Sequence, residues 1–491
     1  SIIVRVFRNG IFSQYGTICF VTISDRGPFC SFDELVKKLK QNDPGLQQLI
    51  DNQNAVVKNY IDNNPTPQTS HKTIPVVVHV MGTGINNFSY QQIQWQIAAL
   101  NAAFAANYQN YNQQTHGTSA VNTQIQFCLA QNTTPGSVQW TNSAEKGVMR
   151  YASTNNSVID PASNGTNAVN LTNLTHPSGQ GRFPFNMYLN IWVVRNIDNA
   201  ATPGVVGYAM PPTANPAFDG IVFRSDCFGD NSVCQNTQLP FPGLQQGKIL
   251  AHEAGHYLGL EHTFTGGCAG MTAATCSTAG DFCCDTPPTT YTLSNCAGAQ
   301  NTCGFNDQLE NYLSYSDDNC MNTFTANQAL RMDGFLTNNS VRFNLWQAAN
   351  LTATGAGGQS GCVGCLLAAN ICFSPTFPCP GTAVNFSTPS GPGLCAVSWL
   401  WNFGGGVTST LQKPSHTFTT AGNYTVSLTA SSSGGQSVSS NITITVAPPT
   451  ATISAIGSLT TCNGAEQSVR ILFTGNPPFT ATITDGTVTY P

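Results

Sequence analysis

Charge is what this sequence has least of. Of 491 residues, 18 are Lys or Arg and 23 are Asp or Glu, 8% in all, against roughly 25% in an average soluble protein. The net charge is only −5. That argues against nucleic acid and anionic lipid as partners. Long hydrophobic runs are missing as well: no apolar stretch reaches about 18 residues, so no membrane-spanning segment is expected. Absent too is an initiating Met. The chain starts at Ser1, and an export signal is expected to be already gone. The stretch Ile11–Ile23, interrupted by Ser13, Gln14 and Tyr15, reads as a poor signal core.

Cysteine, by contrast, is plentiful: there are 18, several of them between Cys268 and Cys320. That density points to disulfides, an oxidising compartment and a secreted, extracellular or cell-surface chain. Cys268, Cys276, Cys283, Cys284, Cys296, Cys303 and Cys320 read as staples of one loop region, with pairing left open. Cys227 and Cys234 are spaced to close a short loop, and Cys362 and Cys365 form a C-x-x-C in which disulfides are favoured over a zinc knuckle.

Helical periodicity is concentrated in residues 31–62, with Leu35, Leu39, Leu46, Leu49 and Ile50 around a break at Pro44-Gly45. "NNPTPQTS" then reads as a linker. "TIPVVVHV" is a buried strand, residues 90–108 a helix with Ile93, Ile97, Leu100 and Phe104 on one face, and "QIQFCLA", "MYLNIWVV" and "GIVF" further strands. "LQQGKILAHEAGHYLGL" is a second strong helix. Beyond the Gly-rich "TATGAGGQSG" the pattern changes to period two, as in "YTVSLTA" and "NITITVA". The expected architecture is multidomain. A helical pro-region (1–71) precedes an α/β (α+β) domain (72–350), then a Gly/Cys-rich linker (351–372), an all-β sandwich (373–447) and the start of another β module (448–491).

The chemistry concentrates in "HEAGHYLGLEHTF" at 252–264. On a helix, His252 and His256 project from one face, and Glu253 lies beside them to hold a water. Gly259 tolerates a left-handed backbone, which allows the chain to turn and bring His262 back as a third nitrogen ligand. Three protein ligands leave one position open, the pattern of a catalytic rather than structural zinc. Glu253 is then the general base. The bland reading, a helix with surface histidines, fits the extended H-E-x-x-H-x-x-G-x-x-H spacing poorly.

That string marks metzincin metalloproteases, and the chain resembles the pappalysin-like family over roughly residues 30–340. The likeness rests on "TIPVVVHV", "NIWVV", "GYAMPP", "DGIVF", the zinc string, "GDFCCDTPP" and "NYLSYSDDNCMNTFTANQALRM", in that order. The resemblance implies a two-lobed domain with zinc in a cleft, hydrolysis of peptide bonds in a protein or peptide substrate, and structural calcium. It implies that Asp281 and Asp285 are the acidic calcium pair, as oxygen ligands suit that ion, and that Tyr315 of "NYLSY" steadies the oxyanion. It implies further that "FCSFDELVKKLKQNDPG" is a latency segment whose Cys30 fills the open zinc position in a zymogen. A Cys19–Cys30 disulfide is the structural alternative.

Three departures stand out. Leu313 occupies the place of the family's turn Met beneath the metal, a swap that typically costs under about 1.5 kcal/mol. Ser31 follows Cys30 where Gly is usual. Gly405 replaces the Asp in "WNFGGG", whose surroundings otherwise resemble a PKD-type β-sandwich with Trp401 and Phe403 in its core. The competing reading is a cell-surface adhesin that retains an inactive metzincin domain.

Overall fold

A computed structural model describes residues 2–6, 30, 32–66, 69–81, 89–106, 120–133, 139–151, 158–159, 183–194, 196–197, 206–209, 219–228, 247–268, 275–290, 300–318, 320–357, 367, 369, 371–375, 378–388, 396–432, 435–448, 450–456, 467–474, 483–484 and 489–490. These residues fall into two units. One lies within Asp25–Leu366 together with Ser390–Cys395; the other combines Ser1–Ser24, Leu367–Pro389 and Ala396–Pro491.

In chain order the elements begin with β1 (Ile2–Val6), α1 (Phe32–Asn42), α2 (Leu46–Asn63), β2 (Lys72–Met81), α3 (Tyr90–Phe104), β3 (Ile125–Leu129), β4 (Val148–Tyr151) and β5 (Val158–Ile159). Then come β6 (Leu189–Val194), β7 (Asn196–Ile197), β8 (Gly207–Ala209), β9 (Ile221–Arg224), α4 (Ile249–Tyr257) and α5 (Ala326–Asn338). The main sheet of the first unit runs β3-β2-β6-β9-β8, and β4 also pairs with β2. Strand β2 is parallel to β3, β4 and β6, and β6 is parallel to β9; β8 alone is antiparallel, at one edge. Parallel strands covered on both faces read as unbroken apolar runs, and Ile74, Val76, Val77, Val78 and Val80 are all buried. His79 interrupts that run but is satisfied, with ring nitrogens 2.8 Å from Tyr151 Oη and 2.9 Å from Asn190 Oδ1. Burial lowers its pKa to about 4, so it is a neutral core residue.

Helix α3 begins with a reciprocal capping box between Ser89 and Gln92 and buries Ile93, Ile97, Leu100 and Phe104. It stops at Phe104, short of the expected 108, where Ala106 turns to φ 55°. Helix α4 is also shorter than its sequence suggested. Gly247, at φ 72°, blocks any extension before Lys248.

The second unit carries the expected β-sandwich. Its four-stranded sheet includes Ala396–Asn402, Gly422–Ser432 and Ser437–Val446, with Trp401, Phe403, Val426 and Leu428 buried. Gly404, Gly405 and Gly406 all have positive φ, and a Cβ there would meet nothing within 4 Å. The Asp replaced by Gly405 thus lies outside the core, which Trp401 and Phe403 still fill. Strand β1 pairs antiparallel with Gln467–Thr474, which in turn pairs with Thr450–Ile456. Such a partner, more than 400 residues away along the chain, is not legible in a five-residue alternating run.

Candidate metal centre

Helix α4 presents His252 and His256 on one face, and the chain then reverses at Gly259. Its φ is 91°, and a Cβ there would lie 2.2 Å from the Phe335 ring, so only glycine fits. Gly259 N–H donates to His256 O and Leu260 N–H to Gly255 O, each at 2.9 Å. This close of the helix returns the chain so that His262 faces the other two imidazoles.

All three histidines are fully buried. His256 Nε2 lies 3.1 Å from His252 Nε2 and 3.1 Å from His262 Nε2. Each Nδ1 has an oxygen acceptor. His252 donates to Tyr312 O at 2.6 Å, His256 to Leu260 O at 2.8 Å and His262 to Asp33 Oδ2 at 3.1 Å. A ring nitrogen facing a carbonyl or carboxylate must carry the proton. In the neutral rings, three Nε2 lone pairs then converge. Such an arrangement is repulsive unless a cation sits at its centre. Tetrahedral zinc, with Zn–N of about 2.0–2.1 Å, sets ligand nitrogens about 3.4 Å apart. The residues fit zinc. Burial also pulls the His252 and His256 pKa values well below the usual range, which favours the neutral, ligating form.

Cys30 completes the group. Its Sγ and the three histidine nitrogens all lie within 4.8 Å of one another. It is a buried thiol rather than half of a disulfide, and Cys19 lies outside the described residues. Burial pushes the thiol pKa well up, and the carboxylates of Glu253 and Asp33 push it further. Cys30 Sγ is 3.7 Å from Glu253 Oε2, and residue 30 forms a parallel bridge with Gly207 at the sheet edge.

Glu253 is fully buried, and its Oε1 accepts no hydrogen bond among the described residues. Burial raises its pKa well above the usual carboxyl range. Gly207 makes room for this side chain, since a Cβ there would stand 2.8 Å from Oε1.

The segment "NYLSY" does three things. Tyr312 O orients His252. Leu313 is buried and packs beneath α4, where a Cβ on Gly255 would come 2.9 Å from its Cδ2. Leu313 thus fills the space expected of the turn Met. The Tyr315 ring is edge-on to His262, with centroids 4.8 Å apart, and its hydroxyl donates to Cys30 O at 2.8 Å.

Two residues of this centre escaped the sequence reading, Phe32 and Asp33. Phe32 is buried and stacks on His256 with centroids 4.0 Å apart and planes 6° from parallel. Asp33 holds His262, as described. The only sequence signal was their place two and three residues after Cys30. Asp281 and Asp285 lie apart from the metal group. Asp281 accepts from Cys283 N–H at 3.1 Å and Thr286 Oγ1 at 2.7 Å; burial raises its pKa to about 7 despite those bonds. Asp285 accepts from Asn327 N–H at 2.8 Å and Thr325 Oγ1 at 2.7 Å, so it caps α5.

The loop region is stapled by Cys268–Cys303 and Cys276–Cys284. Cys320 is also disulfide-bonded, whereas Cys283 stays a buried thiol. Cys227 is buried, and the loop expected between it and Cys234 ends on a residue outside the described ones. Cys234, Cys296, Cys362 and Cys365 lie outside the described residues.

The Peptidase_M43 family model, described as pregnancy-associated plasma protein-A, matches residues 185–337, and a PKD domain model matches 369–446. The extracellular metalloprotease of Arthroderma otae is 30% identical over 274 residues, covering 54% of this chain and 77% of that protein. Extracellular metalloprotease 1 of Coccidioides posadasii is 35% identical over 147 residues, covering 29% of this chain and 48% of that protein, so the match spans about half of that relative. Among solved structures, a promirolysin variant from Tannerella forsythia is 25% identical at a TM-score of 0.49, covering 65% of this chain and 98% of that one. The chain belongs to the Peptidase_M43, pappalysin-like family of metallopeptidases and carries a PKD domain after its metallopeptidase part.

Proposed function

We propose that this chain is an extracellular zinc endopeptidase held latent by its own N-terminal region. The observation that carries the reading is the convergence of three buried histidine nitrogens with the Cys30 sulfur, and the Glu253 carboxylate beside them. Its relatives' names, extracellular metalloproteases, support the location and the class of substrate, proteins or peptides. In this reading residues 1–71 are a pro-region, with Cys30 in it, and 72–350 the catalytic domain. The linker after 350, the PKD-type sandwich to 447 and a further β module from 448 follow.

His252, His256 and His262 hold the ion. Zinc in that position supplies a Lewis acid for a peptide carbonyl and lowers the pKa of a bound water. Glu253 takes a proton from the attacking water and returns it to the leaving amine. The Tyr315 hydroxyl donates to the oxygen on which negative charge develops. The backbone of β8, at the edge of the sheet, is free in the active form to pair with a substrate strand.

In the latent form residue 30 occupies each of these places at once. Its sulfur joins the histidines and faces Glu253, its carbonyl takes the Tyr315 hydroxyl, and its backbone bridges Gly207 on β8. Helix α2 anchors the segment on α5. Tyr60 hydrogen-bonds Asp333, which also pairs with Lys72, and Arg331 donates to Asn54 at 2.7 Å. A cut at the exposed Thr69–His71, followed by removal of the segment, is expected to release proteolysis that a chelator abolishes and zinc restores. Digestion of a denatured protein checks this. A trimmed chain that binds zinc and cleaves nothing would support the adhesin reading instead.

For Asp281 and Asp285 the reading is a calcium pair, supported by their oxygen chemistry. Their present bonds to Thr286 and the start of α5 supply a purely structural alternative. Calcium is expected to raise the melting temperature of the wild type by several degrees and that of the Asp281→Asn chain by less, as a ligand confined to the folded state does. An equal response in both chains removes Asp281 from the calcium site.

A further inference from the structure

The three histidines differ in where their outer hydrogen bond comes from. The acceptors for His252 and His256 are Tyr312 O and Leu260 O, both in the metallopeptidase part of the chain. The acceptor for His262 is Asp33 Oδ2, 229 residues away in the first turn of α1. His262 is completely buried, while the Asp33 side chain is 54% exposed at the rim of the site. The segment that blocks the metal therefore also completes its support. A carboxylate on the far nitrogen of a ligating histidine fixes the ring and strengthens it as a donor. Phe32 adds to this by lying flat on His256, 4.0 Å between centroids.

We infer that Asp33 is a positioning residue for His262 that only the latent chain possesses, so that activation removes part of the zinc site's own scaffold along with its lid. The inference rests on the zinc reading above. It makes the mature enzyme more prone to lose zinc than its precursor, through His262 as well as through the departing sulfur.

The test uses the zinc-loaded full chain and measures zinc transfer to an excess of a chromogenic chelator. Asp33→Ala is expected to release zinc about tenfold faster than wild type, the lower end of the effect typical of such outer partners, because this carboxylate is half in water. Asp33→Asn keeps an acceptor without the charge and is expected to fall between the two. Gln41→Ala, an exposed change on the same helix, is expected to leave the rate alone.

To separate action through His262 from action through the seating of Cys30, the pair is repeated in a Cys30→Ser background. Action through His262 predicts that Asp33→Ala still accelerates release there. The inference is overturned if the acceleration vanishes in that background, if Asp33→Ala and Asp33→Asn both match wild type, or if Gln41→Ala accelerates release equally. A full chain that takes up no more zinc than its His256→Ala variant overturns the zinc reading itself. Tight zinc with a neutral Asp33 overturns this inference alone.

Discussion

Glu253→Ala, in the chain freed of its pro-segment, is expected to lose about 10²- to 10⁴-fold in peptide hydrolysis, the usual worth of a general acid–base group. Its zinc content is expected to remain that of the wild type. The two halves of this result separate roles that lie one residue apart. Glu253 does not belong to the group of four ligand atoms, and its Oε1 has no hydrogen-bond partner among the described residues. Removing it leaves the three Nε2 atoms and their Nδ1 acceptors in place. Gly207 stands over the same carboxylate, so truncation opens space there rather than causing a clash. Loss of zinc together with activity would mean that Glu253 holds the metal site together. Retained activity would remove it from the chemistry.

The second large effect concerns latency. The intact chain is expected to show at most about 1% of the activity of the trimmed chain, as it would if the closed state were favoured about 100-fold. Cys30→Ser is expected to recover only part of the difference. The sulfur is one of several attachments. The Tyr315 hydrogen bond goes to the backbone carbonyl of residue 30, Phe32 stays on His256, and α2 keeps its bonds to Arg331 and Asp333. Hydrolysis of a quenched-fluorescence peptide by the three proteins checks the order. If Cys30→Ser alone gives full activity, these other contacts contribute nothing to inhibition. If it gives none, the thiol is not what closes the site.

Much of the metal centre was legible because it is local. His252, His256 and His262 lie on one helix and the turn after it. Gly259 announces that turn, since no other residue accepts its backbone and its contact with Phe335. "NYLSY" was readable as a unit, and Leu313 does fill the space under α4. The contacts that could not be read join distant segments. The stacking of Phe32 on His256 and the bond from His262 to Asp33 depend on how α1 is laid against the three histidines, which no periodicity encodes. The same holds for the Tyr60–Asp333–Lys72 cluster and for β1 with its partner strand.

The central claim is that a zinc ion in the intact chain is held by three histidines and closed by Cys30. X-ray absorption at the zinc edge of the zinc-loaded, untrimmed chain tests it most directly. The account predicts one sulfur at about 2.3 Å beside nitrogen ligands at about 2.0–2.1 Å, with the sulfur shell lost in Cys30→Ser. A zinc environment of nitrogen and oxygen alone in the intact wild-type chain would contradict it.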